Sequence, residues 1–213
     1  MRRIAVISVT LNAVTPMMRR FSQEPGAWAV TNLLDEALQA EIAAEGRVTD
    51  RSMAQMGALL GRAAAIKAEA VLLTCTVFSP YLPALRQLFA MPLIGADVAM
   101  LEQAAALQRR TVILCTFPAA LAGSAAMFEA ASGGVAADVV LVEGAQAAMA
   151  AGDPARHDAL ITEAIRAHAQ NYEAVVLAQM SMAGAAALVP DCPVPLLTSP
   201  DCAVAALRTA LPA

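Results

Sequence analysis

The tightest constraint on this 213-residue chain is an internal repeat. The stretch Glu69-Ala70-Val71-Leu72-Leu73-Thr74-Cys75-Thr76-Val77 is echoed by Glu173-Ala174-Val175-Val176-Leu177-Ala178-Gln179-Met180-Ser181, which sets Cys75 opposite Gln179. Two further pairs keep the same order: Arg2-Arg3 with Arg109-Arg110, and Met91-Pro92-Leu93-Ile94 with Val194-Pro195-Leu196-Leu197. The three matches are offset by 107, 104 and 103 residues. Ordered matches at a nearly constant offset imply two homologous halves. We expect one lobe from residues 1–95 with 199–213, and a second from 96–198.

Within each half, short apolar runs rich in Val, Ile and Leu alternate with longer helical patterns. Strands are expected at 3–9, 71–75, 92–94, 111–116, 137–142, 175–178 and 196–197. Helices are expected at 27–44, 49–67, 80–89 and 96–109, then from Pro118 to 131, over 154–171, and after Ser199-Pro200. Residues 10–16 and 23–26 read as loops, and Ser132-Gly133-Gly134 as a turn. Ser79-Pro80 and Asp153-Pro154 each read as a helix start, with a capping oxygen followed by proline in the first turn. Such alternation defines an α/β fold: two pseudo-symmetric lobes, each a mostly parallel sheet flanked by helices, with the active-site cleft between them.

Composition removes several classes of function. A net charge of −4, with basic residues single or paired, leaves no electrostatic footprint for nucleic acid. The longest uncharged run covers 18 residues, 111–128, but Pro118 and Gly123 divide it, and a spanning helix needs about 20 apolar residues. No membrane segment is expected, and the short 4–9 run does not make a secretory leader. Four cysteines without CxxC spacing, and two histidines, argue against a zinc site and against disulfides. The expectation is a cytoplasmic protein. With 59% hydrophobic and 15% charged residues, it is expected to form a homo-oligomer.

Cys75 is the residue best placed for chemistry. It ends a strand, before a helix start whose N–H groups and dipole would favour both a thiolate and a bound carboxylate. Cysteine is equally at home in an apolar core, and Cys115, Cys192 and Cys202 read that way. Thr74, Thr76 and Thr116 offer hydroxyls at strand ends, although threonine also simply favours strands. Thr76 adds a backbone N–H for an oxygen that gains negative charge. After the first strand, Ser8, Thr10 and Asn12 either face a ligand or serve turn chemistry. Gln179 can donate and accept hydrogen bonds but cannot exchange protons at neutral pH. Ser181 lacks an adjacent base, and His157 and His168 read as solvent-side helix residues. No Ser-His-Asp set, phosphate loop or carboxylate pair is present.

The early strand with Asn12, the Thr74-Cys75-Thr76 triplet and the 177–182 segment together resemble the aspartate/glutamate racemase superfamily, over nearly the whole chain. That group includes hydantoin and allantoin racemases, maleate isomerase and arylmalonate decarboxylase. The resemblance implies catalysis without a cofactor, one cysteine from each lobe flanking the α-carbon of a small anionic substrate. Here Cys75 matches the first family cysteine, while Gln179 stands where the second would be. Carried over, Cys75 is the acid/base or nucleophile. Thr76 and Val77 supply backbone oxyanion donors, and Asn12, Thr116, Gln179, Met180 and Ser181 form the carboxylate-binding set. The implied function is a racemase or isomerase acting on a small carboxylate or amino-acid-like substrate. A single-cysteine lyase of the arylmalonate decarboxylase kind, or a carboxylate-binding protein without turnover, stands as the alternative.

Overall fold

The computed structural model describes residues 1–212, and the chain divides into two compact units. One comprises Met1–Asp97 with the C-terminal residues from Ala203 onward, the other Val98–Cys202. The first unit contains β1 (Arg2–Ser8), α1 (Leu11–Ser22), β2 (Trp28–Leu34), α2 (Glu36–Glu45), α3 (Asp50–Ala65), β3 (Ala70–Leu73), a 3₁₀ turn (Thr76–Tyr81), α4 (Leu82–Leu88) and β4 (Leu93–Gly95). Helix α5 (Ala96–Ala106) carries the chain onward. The second unit contains β5 (Thr111–Cys115), α6 (Ala120–Ser132), β6 (Asp138–Leu141), α7 (Ala145–Ala150), α8 (Pro154–His168), β7 (Ala174–Leu177), a 3₁₀ turn (Met180–Met182), α9 (Ala183–Ala186) and β8 (Leu196–Thr198). Helix α10 (Ser199–Ala210) closes the chain.

Both sheets are wholly parallel and share one topology, β2-β1-β3-β4 and β6-β5-β7-β8. Their registers coincide with the sequence repeat. Ile7 pairs with Leu73 and Leu73 with Gly95; Leu114 pairs with Leu177 and Leu177 with Thr198. The conserved spacing of the repeated Glu-Ala-Val and Arg-Arg pairs has a physical cause at the other end of the strands. The Glu69 carboxylate accepts the backbone N–H of Arg3 at 2.8 Å, and Glu173 accepts that of Arg110 at 3.1 Å. Each latch satisfies an N–H at the start of a central strand and fixes its register with the next strand.

Helices cover both faces of a parallel sheet, so its central strands become continuous apolar runs. β3, β5 and β7 are buried along their whole length. In the second unit, alternate residues separate two cores. Val112, Leu114, Val175 and Leu177 pack with Ile161, Ile165 and Met182 on one face. Ile113, Cys115, Val176 and Ala178 pack with Met100, Leu101, Phe128 and Cys202 on the other.

Four sequence expectations require correction. Residues 27–44 are not one helix but the strand β2 followed by α2, whose N-cap Asp35 accepts the N–H of Leu38 at 3.0 Å. The four-residue spacing of Val30, Leu34, Leu38 and Ile42 imitates a helix, and seven-residue pairing with β1 overrides it. Residues 10–16 are not a loop: α1 starts at Leu11 and carries Pro16 inside it, because Ala13, Met17 and Phe21 form one buried face. Ser79-Pro80 lies inside a 3₁₀ turn and opens no helix. His157 is buried rather than solvent-side. The short helix α7 has no counterpart among the sequence expectations.

Leu72, fully buried in β3, tests the packing. Leu72→Ala is expected to lower unfolding stability by about 3 kcal/mol, read as a lower urea midpoint with an unchanged m-value.

Candidate active site

Parallel strands end together, so the residues that follow β1 and β3 meet at one edge of the first sheet. There the chain leaves β3 through Thr74 and Cys75. Thr74 donates its N–H to the Ile7 carbonyl at 3.1 Å, and its hydroxyl lies 2.8 Å from that of Ser8. Cys75 is the N-cap of the Thr76–Tyr81 turn, in extended backbone conformation. The Phe78 N–H donates to the Cys75 carbonyl at 3.2 Å, and the backbone N–H groups of Val77 and Phe78 lie beside the thiol and favour its charged form.

These donors do not win. Burial is the largest influence on the thiol, with 7% of Cys75 exposed, and it pushes the pKa from its ordinary 9.0 up to about 11. The two N–H groups pull it down, and the Asp97 carboxylate pushes it up again. At pH 7 about one molecule in 10⁴ would carry the thiolate. The expectation that a helix start stabilises a thiolate here is therefore overturned for the free protein: desolvation of the charged form exceeds the stabilisation by the donors.

Sequence reasoning misses two residues of this site. Ser79 and Asp97 are both buried, and the Ser79 hydroxyl lies 2.8 Å from Asp97 Oδ1 and 2.7 Å from Oδ2. Asp97 sits on the first turn of α5, where an acidic residue normally reads as a complement to the helix dipole. Its burial is the signal that distinguishes it, and burial is not written in the spacing.

In the second unit the equivalent edge is occupied differently. Gln179 caps the Met180–Met182 turn, yet its side chain turns back toward β5. Its Oε1 accepts the Thr116 N–H at 2.7 Å and lies 3.3 Å from the Thr116 hydroxyl. A side-chain hydrogen bond from Gln179 also reaches Cys115. Cys115 is fully buried in the core, and burial raises its pKa. Thr116 and Met180 are buried, and Ser181 is half-buried beside them in the chain.

The remaining candidates scatter. Asn12 is exposed on the first turn of α1. Thr76 is half-buried and Val77 exposed, both in the turn after Cys75. His157 Nδ1 lies 2.8 Å from Asp158 Oδ1. The other oxygen of that carboxylate lies where a Cβ added at Gly184 would sit 2.9 Å away. His168 is half-buried, its ring centroid 5.8 Å from that of Tyr172. Cys202 is a core residue, and Cys192 packs at the core's margin. Among the described residues no group of three or more His, Cys, Asp or Glu could hold a metal ion. No helix among them is long and apolar enough to cross a membrane.

Two four-stranded parallel α/β units of one topology, with a thiol at one central strand end and an amide at the other, define a duplicated α/β class of protein. Within that class the chain belongs to the Asp/Glu/hydantoin racemase family, whose profile matches residues 4–207. Its fold is similar to that of Picrophilus torridus aspartate racemase, with a TM-score of 0.76 at 12% identity over 99% of this chain and 94% of that one. Allantoin racemase from Klebsiella pneumoniae gives 0.67 at 18% identity over 98% and 87%. A maleate cis-trans isomerase mutant from Nocardia farcinica, with a covalently bound succinylcysteine intermediate, gives 0.65 at 16% over 98% and 92%. No curated protein matches the sequence.

The Cys75 environment makes a direct prediction. Iodoacetamide labelling of Cys75 in the free protein, followed peptide by peptide in mass spectrometry, should rise with a midpoint near pH 11. A midpoint at or below 9.0, the ordinary thiol value, would contradict the dominance of burial.

Proposed function

We propose that this protein is a cofactor-independent isomerase of the racemase family, acting on a small carboxylate or amino-acid-like substrate through the single strand-end thiol of Cys75. The observation that carries the reading is a buried thiol just past the carboxyl end of a central strand, capping a turn whose backbone N–H groups favour its charged form. Donors fixed in a dry site stabilise charge that develops during reaction, because they need no reorganisation. Cys75 serves as acid/base toward a carbon, or as nucleophile toward a double bond. In the second case the thiol first gives its proton to solvent. The thiolate adds to one alkene carbon while the π pair moves onto the carboxylate as an enolate, and the new single bond rotates. Collapse of the enolate expels the thiolate and restores the alkene, after which the thiolate is reprotonated. No atom is gained or lost. The N–H groups of Thr76 and Val77 are assigned to an oxyanion. Asn12, Thr116, Gln179, Met180 and Ser181 are assigned to binding the substrate carboxylate, with Gln179 orienting rather than exchanging protons.

A second reading is favoured by a specific observation. Cys75 rests protonated, and Gln179 is tied to Thr116. A lyase needs only one proton donor: loss of CO₂ leaves the electron pair on carbon, and the thiol delivers a proton to one face. Recharging then comes from solvent. A resting thiol suits this step better than it suits proton abstraction, for which a thiolate must first form at a cost of several kcal/mol.

The two readings separate in deuterated water. Small mono- and dicarboxylates are incubated with the protein and followed by proton NMR. An isomerase converts substrate with no change in carbon count, and a racemase also washes deuterium into unreacted substrate. A lyase releases CO₂ and places deuterium only in product. Cys75→Ser should lower turnover by about 10³-fold in either case. Carboxylate binding without turnover, unaffected by Cys75→Ser, would refute both.

A further inference from the structure

The two units serve as internal controls for each other, because their registers are superimposable. Counting from the paired rungs, Cys75 corresponds to Gln179, Ser79 to Ala183, and Asp97 to Pro200. The unit that holds a strand-end thiol also holds a buried serine–aspartate link from the following turn to the start of α5. The unit without that thiol has neither partner. Its own carboxylate at the equivalent helix start, Asp201, instead accepts the Thr198 hydroxyl at 2.6 Å, three residues away in the same segment. Asp97 is thus committed to a different element from its own, across a separation of 18 residues.

That commitment has a geometric consequence. Ser79 lies two residues beyond Val77 and one beyond Phe78, whose N–H groups favour the thiolate and the second of which bonds the Cys75 carbonyl at 3.2 Å. A 3₁₀ turn this short, containing Pro80 and followed by the first turn of α4, has weak internal hydrogen bonding. An external anchor therefore decides its orientation. We propose that Asp97 is the positioning residue of the Cys75 site, acting through the Ser79 hydroxyl to hold the Thr76–Tyr81 turn, whose Phe78 N–H bonds the Cys75 carbonyl at 3.2 Å, so that the backbone N–H groups of Val77 and Phe78 stay beside the sulfur. The proposal rests on Cys75 as the reacting thiol, and it deepens that reading with a residue that does not touch substrate.

Charge and anchor act on the sulfur in opposite senses, which makes the role testable. The sulfur is influenced by the Asp97 carboxylate from α5 and by the two N–H groups of its own turn. On the β1 side, the Thr74 and Ser8 hydroxyls bond each other and do not titrate in this range. A nearby negative charge disfavours the thiolate, while donated N–H groups favour it.

The experiment is the pH profile of Cys75 alkylation by iodoacetamide in the full chain, with thermal melts of every variant. Asp97→Asn removes the charge and keeps an oxygen for the Ser79 hydroxyl, so the midpoint should move to lower pH. Ser79→Ala keeps the charge and cuts the anchor, so the midpoint should move to higher pH, and alkylation at pH 9 should slow several-fold. Ser79→Thr should restore the wild-type profile. Should Ser79→Ala fail to fold, Asp97→Asn and the bulkier Asp97→Leu carry the same comparison, the latter losing both charge and anchor. Two profiles that stay at the wild-type midpoint while the melts fall, or that shift in the same direction, would overturn the proposal. Labelling needs no substrate. A Cys75→Ser variant that retains turnover would therefore remove the assigned reaction and leave the anchoring result standing, whereas same-sign shifts would remove only the role of Asp97.

Discussion

Everything at the functional edge follows from parallel pairing between β1 and β3, and between β5 and β7. A parallel pair places both carboxyl ends on the same side, and burial on both faces keeps β3, β5 and β7 apolar to their last residue. Polar chemistry can then begin only where the strand stops. In the first unit that point is Thr74-Cys75, and in the second it is Ala178-Gln179. The Glu69 and Glu173 latches at the opposite ends hold the register, and a one-residue slip would turn Cys75 to the other face of the sheet.

At Cys75 three influences compete, and their order decides the chemistry. Burial comes first, and it favours the neutral thiol. The N–H groups of Val77 and Phe78 oppose it, and Asp97 reinforces it. The resting group is consequently the neutral thiol, with backbone N–H groups beside it that favour its charged form. Such an arrangement lowers the cost of a transient thiolate more than it populates one, which is the useful property when charge develops only during reaction.

The parts of this design that follow from local pattern are legible in the sequence. The 107, 104 and 103-residue offsets reappear as strand registers, and Asp153 caps the helix that Asp153-Pro154 announces. What fails is whatever depends on a neighbour from elsewhere in the chain. β2 looks helical until β1 is beside it, although the repeat itself contains the correction, since β6 occupies the equivalent place in the second unit. Pro16 looks like a breaker until α1 is seen to bury Ala13, Met17 and Phe21. His157 and Asp97 look like surface residues because polar side chains usually are. Ser79 and Asp97 are 18 residues apart, and no local pattern joins them.

The asymmetry between the units is the last consequence of the same edge geometry. Replacing a strand-end thiol by an amide does not leave a vacancy there. Gln179 satisfies the N–H and hydroxyl of Thr116, which lie at a buried strand end, and also reaches Cys115, whose thiol already donates to the Ser124 hydroxyl at 3.8 Å. An amide so occupied is rigid, neutral and unable to titrate. A thiol in its place could not accept the same bonds as strongly, and Thr116 would lose its partner. The second unit thus uses this strand end for structure, while the first carries a thiol there together with the buried Ser79–Asp97 link that the second lacks. On the proposed reading, the Cys75 edge offers one proton donor or one nucleophile, and the Gln179 edge offers only hydrogen bonds.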